Sequence, residues 1–380
     1  MTTSQTDTAY MRAALALARR GLGNVAPNPS VGCIVVQYNG CPEGLIVGRG
    51  WTQPGGRPHG ETQALTQAGD AASGATVYVT LEPCAHHGET PPCAEALIAA
   101  GVKRVVVACR DPDPRVDGGG IAALQNAGLD VVMDVGRHEA EILNQGFFER
   151  LSSGRPFVTV KTATTLDGKI ATRSGDSQWI TAAVARAAGH GLRATHDAVL
   201  IGSGTVRSDD PHLTCRLPGM ANRSPIRVVL DGHLSTPLTA KLVSTARETP
   251  TWIITLEGSD KNRRVAYRDA GVEIIEVEAD SDGRPSVTAA LQALGARGIT
   301  RLLVEAGGRL VAGFFRVGMV DRLVWYRAPM VIGGDGISAA AAFGVDTLAE
   351  APIFRRTDCR DAGGDLIETY DVEAPKRDVH

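Results

Sequence analysis

The sequence lacks long apolar runs, a large excess of charge of either sign and a high content of aromatic residues. Aromatic side chains make up 4% of the 380 residues, and the formal net charge is −3 at pH 7. A chain so close to neutrality is not expected to bind nucleic acid or a membrane surface by charge alone. No apolar run approaches the roughly 20 residues that span a bilayer. The polar start, MTTSQTDTAY, also lacks the pattern of a secretory signal.

Cysteine is scarce as well. The seven cysteines are odd in number and scattered along the chain. This distribution does not favour a disulfide framework and is typical of a protein in a reducing compartment. We therefore expect a cytoplasmic protein that has no nucleic-acid or membrane partner.

Segments typical of strands and helices alternate along the chain, which favours an α/β fold in both halves. At roughly 100–200 residues per domain, the length predicts two domains. A helix predicted from about residue 139 to 149 is followed by Leu-Ser-Ser-Gly-Arg-Pro at 151–156, where glycine and proline end regular structure. We place the two domains at 1–152 and 153–380.

The strongest chemical motif combines His59 and Glu61 with Cys84 and Cys93. An imidazole and two thiolates leave one tetrahedral position of Zn²⁺ open, which is typical of a catalytic site. The sequence places His59 before a helix and Cys84 after a buried strand. Cys93 falls in the first turn of a helix, where the dipole favours the thiolate. We predict that Glu61 moves a proton between a water molecule and a leaving amine.

Two simpler interpretations compete with a catalytic zinc site. A histidine before a helix is often a surface residue, and isolated cysteines are often small buried apolar groups. A closed structural zinc site would need a fourth ligand, for which His86 and His87 are the nearest candidates. The order and placement of the three residues, taken together, favour the catalytic site.

The motif resembles that of zinc-dependent nucleoside and nucleobase deaminases, except that eight residues separate its two cysteines. Further motifs resemble those of the bifunctional deaminase–reductases of riboflavin biosynthesis. In that family, too, eight residues separate the two cysteines. The further motifs are PNPSVG at 27–32, TLEPCAHHGETPPC at 80–93, DPDPRV at 111–116, KTATTLDGK at 161–169, SQWIT at 177–181, LRA at 192–194, GTV at 204–206, DDPHLT at 209–214 and VEAGG at 304–308. The resemblance extends over nearly the whole chain.

This resemblance implies a cytidine-deaminase-like domain followed by a dihydrofolate-reductase-like domain. It implies hydrolysis of the 2-amino group of 2,5-diamino-6-(5-phosphoribosylamino)pyrimidin-4-one to a carbonyl, followed by reduction of the ribosyl group to a ribityl chain. The implied cofactors are Zn²⁺ and NADPH. The implied partners are a phosphorylated pyrimidine and further copies of the same chain, in a dimer or tetramer.

The resemblance also implies the residues of each site. In the deaminase domain these are the zinc ligands His59, Cys84 and Cys93, the catalytic Glu61, and the substrate contacts Asn28 and His86. In the reductase domain the implied cofactor contacts are Ala163, Trp179, Thr205, Asp209, Gly232, Gly307 and Gly308. The implied substrate contacts are Lys161, Ser177, Arg193, Leu213, Arg216 and Glu305.

Physical arguments support part of the reductase set. A strand that ends in glycines before a helix, as at 304–310, presents free backbone N–H groups to a phosphate. The guanidinium groups of Arg193 and Arg216 suit paired contacts with phosphate oxygens. Lys161 is a candidate proton donor.

Three residues depart from the family pattern. Gly60 stands where the family usually has alanine, Glu89 where it usually has a basic residue, and Gly232 where it often has serine. A carboxylate at 89 would repel a substrate phosphate, so Arg57, Arg115 or another cation would have to supply that contact. These departures leave open an enzyme with one active half and a non-catalytic zinc-binding module. The retained Glu61 argues against the second alternative, because a structural zinc site needs no general base.

Overall fold

The computed structural model describes residues 5–85 and 91–373 and contains two compact units, residues 1–154 and 155–380. His86 and Glu89, which the sequence analysis singled out, lie outside the described residues. Both units alternate helices and strands, and the predicted α/β fold class is confirmed. None of the described helices is long and apolar enough to cross a membrane.

The first unit is a five-stranded sheet with helices packed against it. Its helices are α1 Gln5–Ala18, α2 Gly60–Ala68, α3 Cys93–Ala99, α4 Gly119–Asn126 and α5 Arg137–Ser153. Its strands are β1 Gly32–Gln37, β2 Leu45–Trp51, β3 Thr76–Val79, β4 Arg104–Val107 and β5 Asp130–Val132. The strand order is β2-β1-β3-β4-β5, with β1 antiparallel to both neighbours and β3, β4 and β5 parallel.

The central strands of this sheet are buried because their sequences are rich in valine and isoleucine. Strands β1, β3 and β4 read GCIVVQ, TVYV and RVVV, and nearly every side chain in them is inaccessible to solvent. Such continuous apolar runs are typical of strands covered on both faces. The parallel pair β3 and β4 directs its carboxyl ends to one edge, where the chain turns toward Cys84.

The second unit is built on a nine-stranded sheet. Its helices are α6 Ala183–Ala194, α7 Ser203–Asp209, α8 Lys241–Ser244, α9 Lys261–Asp269, α10 Val287–Ala296 and α11 Gly308–Arg316. Its strands are β6 Phe157–Thr164, β7 Lys169–Ala171, β8 Ala198–Gly202, β9 Ile226–Leu230, β10 Thr251–Leu256, β11 Glu273–Val277, β12 Arg301–Val304, β13 Arg322–Arg327, β14 Ile337–Ser338, β15 Phe354–Asp361 and β16 Leu366–Val372.

The order of the large sheet is β11-β10-β9-β8-β12-β6-β13-β16-β15, and β7 pairs separately with β14. The strands from β11 to β13 run parallel, whereas β16 and β15 are antiparallel to their neighbours. Separate apolar clusters, centred on Val304 and Val229, cover the parallel part of the sheet. In a parallel sheet the loops after the strands gather at the carboxyl edge, which is where open α/β folds bind ligands.

The C-terminal hairpin of β15 and β16 is not among the strands that the sequence predicts. Strand β15 reads FRRTDCRD and is exposed over most of its length, so it lacks the apolar alternation of a half-buried strand. Its arginines and aspartates suit the edge of a sheet, where charge discourages pairing with another chain.

Candidate active sites

The imidazole of His59 and the thiols of Cys84 and Cys93 converge in the first unit. Their ligand atoms all lie within 4.8 Å of one another. His59 Nδ1 is 3.3 Å from Cys93 Sγ and 3.8 Å from Cys84 Sγ. The backbone N–H of Cys93 donates to Cys84 Sγ at 3.2 Å. The sequence predicted this grouping, and the structure brings the three side chains together.

Two helix starts and one strand end position these ligands. His59 is the residue before α2, and Cys93 is the first residue of α3. Cys84 follows β3 through a turn. Because His59 and Cys93 stand at helix starts, the free N–H groups and positive ends of these two helices lie close to the thiols. This arrangement suits thiolates, which are the metal-binding form of cysteine.

The electrostatics of the thiols agree with a metal-binding role. The pKa of Cys84 falls to about 4 because the Cys93 thiol, His59 and the Cys93 backbone N–H all stabilise its thiolate, and these effects outweigh burial. The pKa of Cys93 rises, because its proton is shared with Cys84 and the side chain is buried. Soft sulfur donors with one imidazole form a set that selects zinc, so the residues present fit the ion.

Glu61 lies in the first turn of α2 and is 3% exposed. Its pKa rises to about 7, because burial disfavours the carboxylate more than His59 stabilises it. Within the described residues its Oε2 atom has no hydrogen-bond partner. A buried carboxyl group that titrates near neutrality and keeps one oxygen free can accept and return a proton.

The segment around Asn28 lies against the start of α2. Asn28 packs on Gly56, where a Cβ atom would lie 1.8 Å from its Nδ2. At Gly60, the position between His59 and Glu61, a Cβ atom would lie 2.8 Å from the carbonyl oxygen of Val31. Glycine at 60 therefore allows residues 28–31 to approach the metal-binding helix more closely than alanine would allow without a shift.

Glu82 contributes to this site, and the sequence analysis did not identify its role. Its buried carboxylate accepts from the backbone N–H groups of Asp111, Gly118, Gly120 and Ile121 at 3.0–3.3 Å. It thereby joins the turn before Cys84 to the start of α4. The sequence signal that could have identified this role is an acidic residue two positions before a metal ligand.

In the second unit, most of the predicted cofactor residues follow parallel strands at one edge of the sheet. Ala163 lies near the end of β6, Thr205 and Asp209 lie in α7 after β8, and Gly232 follows β9. Gly307 and Gly308 follow β12. Because β6, β12, β8 and β9 are neighbours, the sheet places these loops side by side.

The start of α11 has the features of a phosphate site. Gly307 precedes the helix and no side chain caps it, so backbone N–H groups in the first turn stay available. At Gly308 a Cβ atom would lie 2.4 Å from the carbonyl oxygen of Ser338, so only glycine fits without a shift. These residues fit the phosphate groups of a dinucleotide.

Gly232 has a packing reason that the sequence did not reveal. A Cβ atom there would lie 2.8 Å from Pro285 Cδ. The serine that the family often has at this position would therefore require Pro285 to move.

Arg193 and Glu305 form a paired salt bridge at the same edge of the sheet. Arg193 Nε and one terminal nitrogen donate to the two Glu305 oxygens at 2.7 and 2.8 Å. Burial would raise the pKa of Glu305, but Arg193 and then Lys161 lower it to about 2. The carboxylate is therefore charged at all physiological pH values.

Lys161 lies on β6 beside this pair. Burial lowers its pKa, which Glu305 partly restores and Arg193 lowers further. Its Nζ lies 5.1 Å from the ring centre of Tyr326, a buried residue of β13 that the sequence analysis missed. An ammonium group whose pKa is lowered toward neutrality gives up a proton more readily than an exposed lysine.

Leu213 and Arg216 belong to the loop that faces α6. Leu213 is buried with φ of 53°, and the neighbouring Thr214 carbonyl accepts from Arg193 at 3.2 Å. The backbone nitrogen of Arg216 is 3.3 Å from Nδ1 of His190 on α6. The structure thus connects this loop to the Arg193–Glu305 pair.

Ser177 and Trp179 lie in the segment between β7 and α6. Trp179 is 64% exposed, and its ring stacks with Arg186 at 4.5 Å. Within the described ranges, neither residue forms a hydrogen bond, ion pair or ring contact with Arg193 or Glu305.

Together the two units define a zinc-type deaminase site and an α/β site built for a dinucleotide. Residues 4–109 match the cytidine and deoxycytidylate deaminase zinc-binding region, and residues 156–363 match the RibD C-terminal domain. The class is therefore a deaminase joined to a reductase.

Whole-chain relatives agree with both domain matches. The riboflavin biosynthesis protein RibD of Bacillus amyloliquefaciens is 41% identical over 358 residues, which is 94% of each chain. RibD of Acinetobacter baumannii (form 1) is 37% identical with a TM-score of 0.86, over 97% of this chain and 99% of that one. A diaminohydroxyphosphoribosylaminopyrimidine deaminase/5-amino-6-(5-phosphoribosylamino)uracil reductase from Thermotoga maritima is 32% identical with a TM-score of 0.83, again over 97% and 99%.

The chain belongs to the RibD family of riboflavin biosynthesis. The predicted bifunctional activity is confirmed, as are zinc for the deaminase domain and NADPH for the reductase domain. The presence of both domains does not favour an enzyme reduced to one active half or a non-catalytic zinc-binding module.

Proposed function

We propose that the chain converts 2,5-diamino-6-(5-phosphoribosylamino)pyrimidin-4-one in two steps. Water first replaces the 2-amino group, which leaves as ammonia, and the ring-opened ribosyl group is then reduced to a ribityl chain. The observation that carries this proposal is the convergence of His59, Cys84 and Cys93 beside the buried Glu61. The Thermotoga maritima protein, whose name gives both activities, supports the choice of substrate.

In the deaminase domain, His59, Cys84 and Cys93 would hold the metal through Nδ1 and two sulfur atoms. Zinc supplies a Lewis acid that lowers the pKa of water toward neutrality. Glu61 takes a proton from the attacking water and delivers it to the leaving nitrogen. Its raised pKa lets it act as base and then as acid near pH 7. Asn28 and His86 would bind the pyrimidine.

In the reductase domain, the residues that follow β6, β8, β9 and β12 would bind the cofactor. When bound there, NADPH would supply the hydride for the reduction. We assign the dinucleotide to Ala163, Trp179, Thr205, Asp209, Gly232, Gly307 and Gly308. We assign the substrate to Lys161, Ser177, Arg193, Leu213, Arg216 and Glu305.

Charge supports separate roles for three of these residues. Glu305 neutralises one face of Arg193 and holds the guanidinium in place, so that its remaining N–H groups can meet phosphate oxygens. Lys161 lies beside them with its pKa lowered by burial. It would donate the balancing proton to the nitrogen of the carbon–nitrogen double bond whose carbon receives the hydride.

We also propose a domain division at 1–152 and 153–380. It lies one residue before the end of α5 at Ser153, whereas the two compact units divide after Gly154. A cytoplasmic location suits seven scattered free cysteines. Assembly as a dimer or tetramer rests on the family resemblance alone.

A product mass spectrum tests the proposal. Zinc-loaded protein is given the diamino substrate with NADPH, and the expected product has a carbonyl oxygen in place of one amino group and has gained two hydrogens. Unchanged substrate would contradict the proposed deamination, and the Glu89→Lys variant would then show whether the acidic residue alone prevents binding of the phosphate. A deaminated but unreduced product would contradict the proposed reductase site.

A further inference from the structure

Asn144 is a buried amide on α5 that pairs with the backbone of Ser30 in both directions. Its Oδ1 accepts from the Ser30 N–H at 2.8 Å, and its Nδ2 donates to the Ser30 carbonyl at 3.2 Å. The side chain is 3% exposed. The amide thus satisfies both backbone groups of a residue that lies outside any strand.

Residues 28–31, which we call the substrate loop, are held from two other directions as well. The Ser30 hydroxyl donates to the Ala18 carbonyl at the end of α1 at 2.5 Å. Val31 exchanges hydrogen bonds with Thr52: its N–H donates to Thr52 Oγ1 at 2.9 Å, and its carbonyl accepts from the Thr52 N–H at 2.8 Å. Helix α5 therefore supplies the third set of hydrogen bonds that holds the loop, after those from α1 and Thr52.

The substrate loop contacts the first residue of the metal-binding helix and the turn that precedes this helix. The Val31 carbonyl faces Gly60, and the Asn28 amide lies against Gly56, three residues before His59. A shift of Ser30 would change both contacts, because Val31 follows it directly and Asn28 precedes it by two residues. The position at which Asn144 of α5 holds Ser30 therefore determines where the Asn28 amide lies relative to α2.

An amide is an unusual choice for the space that Asn144 fills. Its neighbours on the buried face of α5 are Ala140, Leu143 and Phe147. Burying an amide there is unfavourable unless its hydrogen bonds are made, and an apolar residue would fill the same space without that requirement. The polar residue is explained by its bonds to the loop.

We propose that Asn144 is a positioning residue of the deaminase, which sets the substrate loop so that Asn28 meets the pyrimidine. The proposal rests on the proposed function, in which Asn28 binds substrate. Asn144 acts through Asn28 and does not touch the reacting atoms.

The test is a double-mutant cycle on deamination with N28A, N144A and N28A/N144A. Loss of one substrate hydrogen bond predicts a KM about 10-fold higher for N28A, with a much smaller change in kcat. N144A should raise KM in the same way. If Asn144 acts through Asn28, the double variant should match N28A within roughly twofold, because nothing is left to position.

Three controls separate positioning from damage to the fold. Zinc content should stay at one per chain, and reduction of the deaminated pyrimidine by the same protein should be unchanged. Asn126→Ala, an exposed asparagine at the end of α4, should behave as wild type. If N144A does not fold, N144D replaces it: its carboxyl group still accepts from the Ser30 N–H but no longer donates to the Ser30 carbonyl, so KM should rise in the same direction as in N144A.

The outcomes are distinct. Multiplicative effects of N28A and N144A, or lost zinc in N144A, would overturn the positioning role. A normal KM in N144A would overturn it as well. Absence of deamination in wild-type protein would instead contradict the proposed function. An unaffected N28A would contradict the role of Asn28, on which the proposal depends.

Discussion

The two units build their sites in opposite ways. In the first unit the metal ligands lie within 35 residues of chain, at two helix starts and one strand end. In the second unit, the proposed site residues run from Lys161 to Gly308, and most of them follow neighbouring strands of the large sheet. A compact motif fixes chemistry locally, whereas a sheet edge collects contributions from distant loops. The two halves should therefore respond differently to single substitutions.

The largest effect is expected from Cys93→Ser. Loss of one thiolate from a three-residue ligand set should release zinc and abolish deamination. Reduction of the deaminated pyrimidine should stay at the wild-type rate. Elemental analysis together with both half-reaction assays gives the result, and full zinc occupancy in the variant would disprove the ligand assignment.

Glu61→Gln should separate the metal from the proton transfer. Deamination should fall by roughly 10²–10⁴-fold, the usual contribution of a general acid–base group. Zinc should remain bound, because Glu61 is not one of the ligands. Single-turnover deamination rates and metal analysis check this, and Glu61→Asp serves as the variant that keeps the acid. Unimpaired turnover by the glutamine variant would assign proton transfer to another group.

In the second unit, Arg193→Met should cost stability as well as activity. It leaves the buried Glu305 carboxylate unpaired, a change worth about 3–5 kcal/mol. The double variant Arg193→Met/Glu305→Met should recover most of that stability but remain inactive as a reductase. Denaturant unfolding followed beside reductase assays distinguishes the two effects. Equal instability of the single and double variants would mean that the ion pair is not the cause.

The same pair predicts a pH dependence of unfolding. The folded pKa of Glu305 lies below its ordinary value, at about 2. Its stabilisation is therefore complete above the ordinary pKa of glutamate, near 4.5, and is lost as pH falls toward 2. The stability difference between wild type and the double methionine variant should shrink over this window. A constant difference between pH 6 and pH 3 would contradict the shift.

The smallest effect is expected from Gly60→Ala. Alanine favours the helix by about 0.5–1 kcal/mol. Its Cβ would lie 2.8 Å from the Val31 carbonyl, so the substrate loop must move slightly. We expect nearly unchanged stability and a modest change in KM for deamination. Thermal unfolding and steady-state kinetics would show this, and a large loss of kcat would mean that the loop tolerates no shift.

The sequence predicted the compact site more completely than the dispersed one, for a physical reason. The order of His59, Glu61, Cys84 and Cys93 at helix and strand ends carries enough geometry to place them together. The reductase residues were identified by family resemblance, because no local pattern reveals which strands are neighbours.

A local sequence pattern cannot predict which distant segments of the chain pair with each other. Nothing near Arg193 indicates that Glu305 is its partner, and nothing near Asn144 indicates Ser30. The contact of Gly232 with Pro285 was missed for the same reason. These three contacts join residues more than 50 positions apart in the chain. Strand β15 was missed because its exposed sequence lacks apolar alternation.

The bonds of Glu82 have a consequence for the order of assembly. All four of its N–H partners come from residues 111–121, which are synthesised after every metal ligand. The turn that carries Cys84 should therefore reach its final position only when α4 docks. We expect zinc to be captured late, by a unit that is already nearly folded. A chain that ends before α4 would then contain every ligand and still bind the ion weakly.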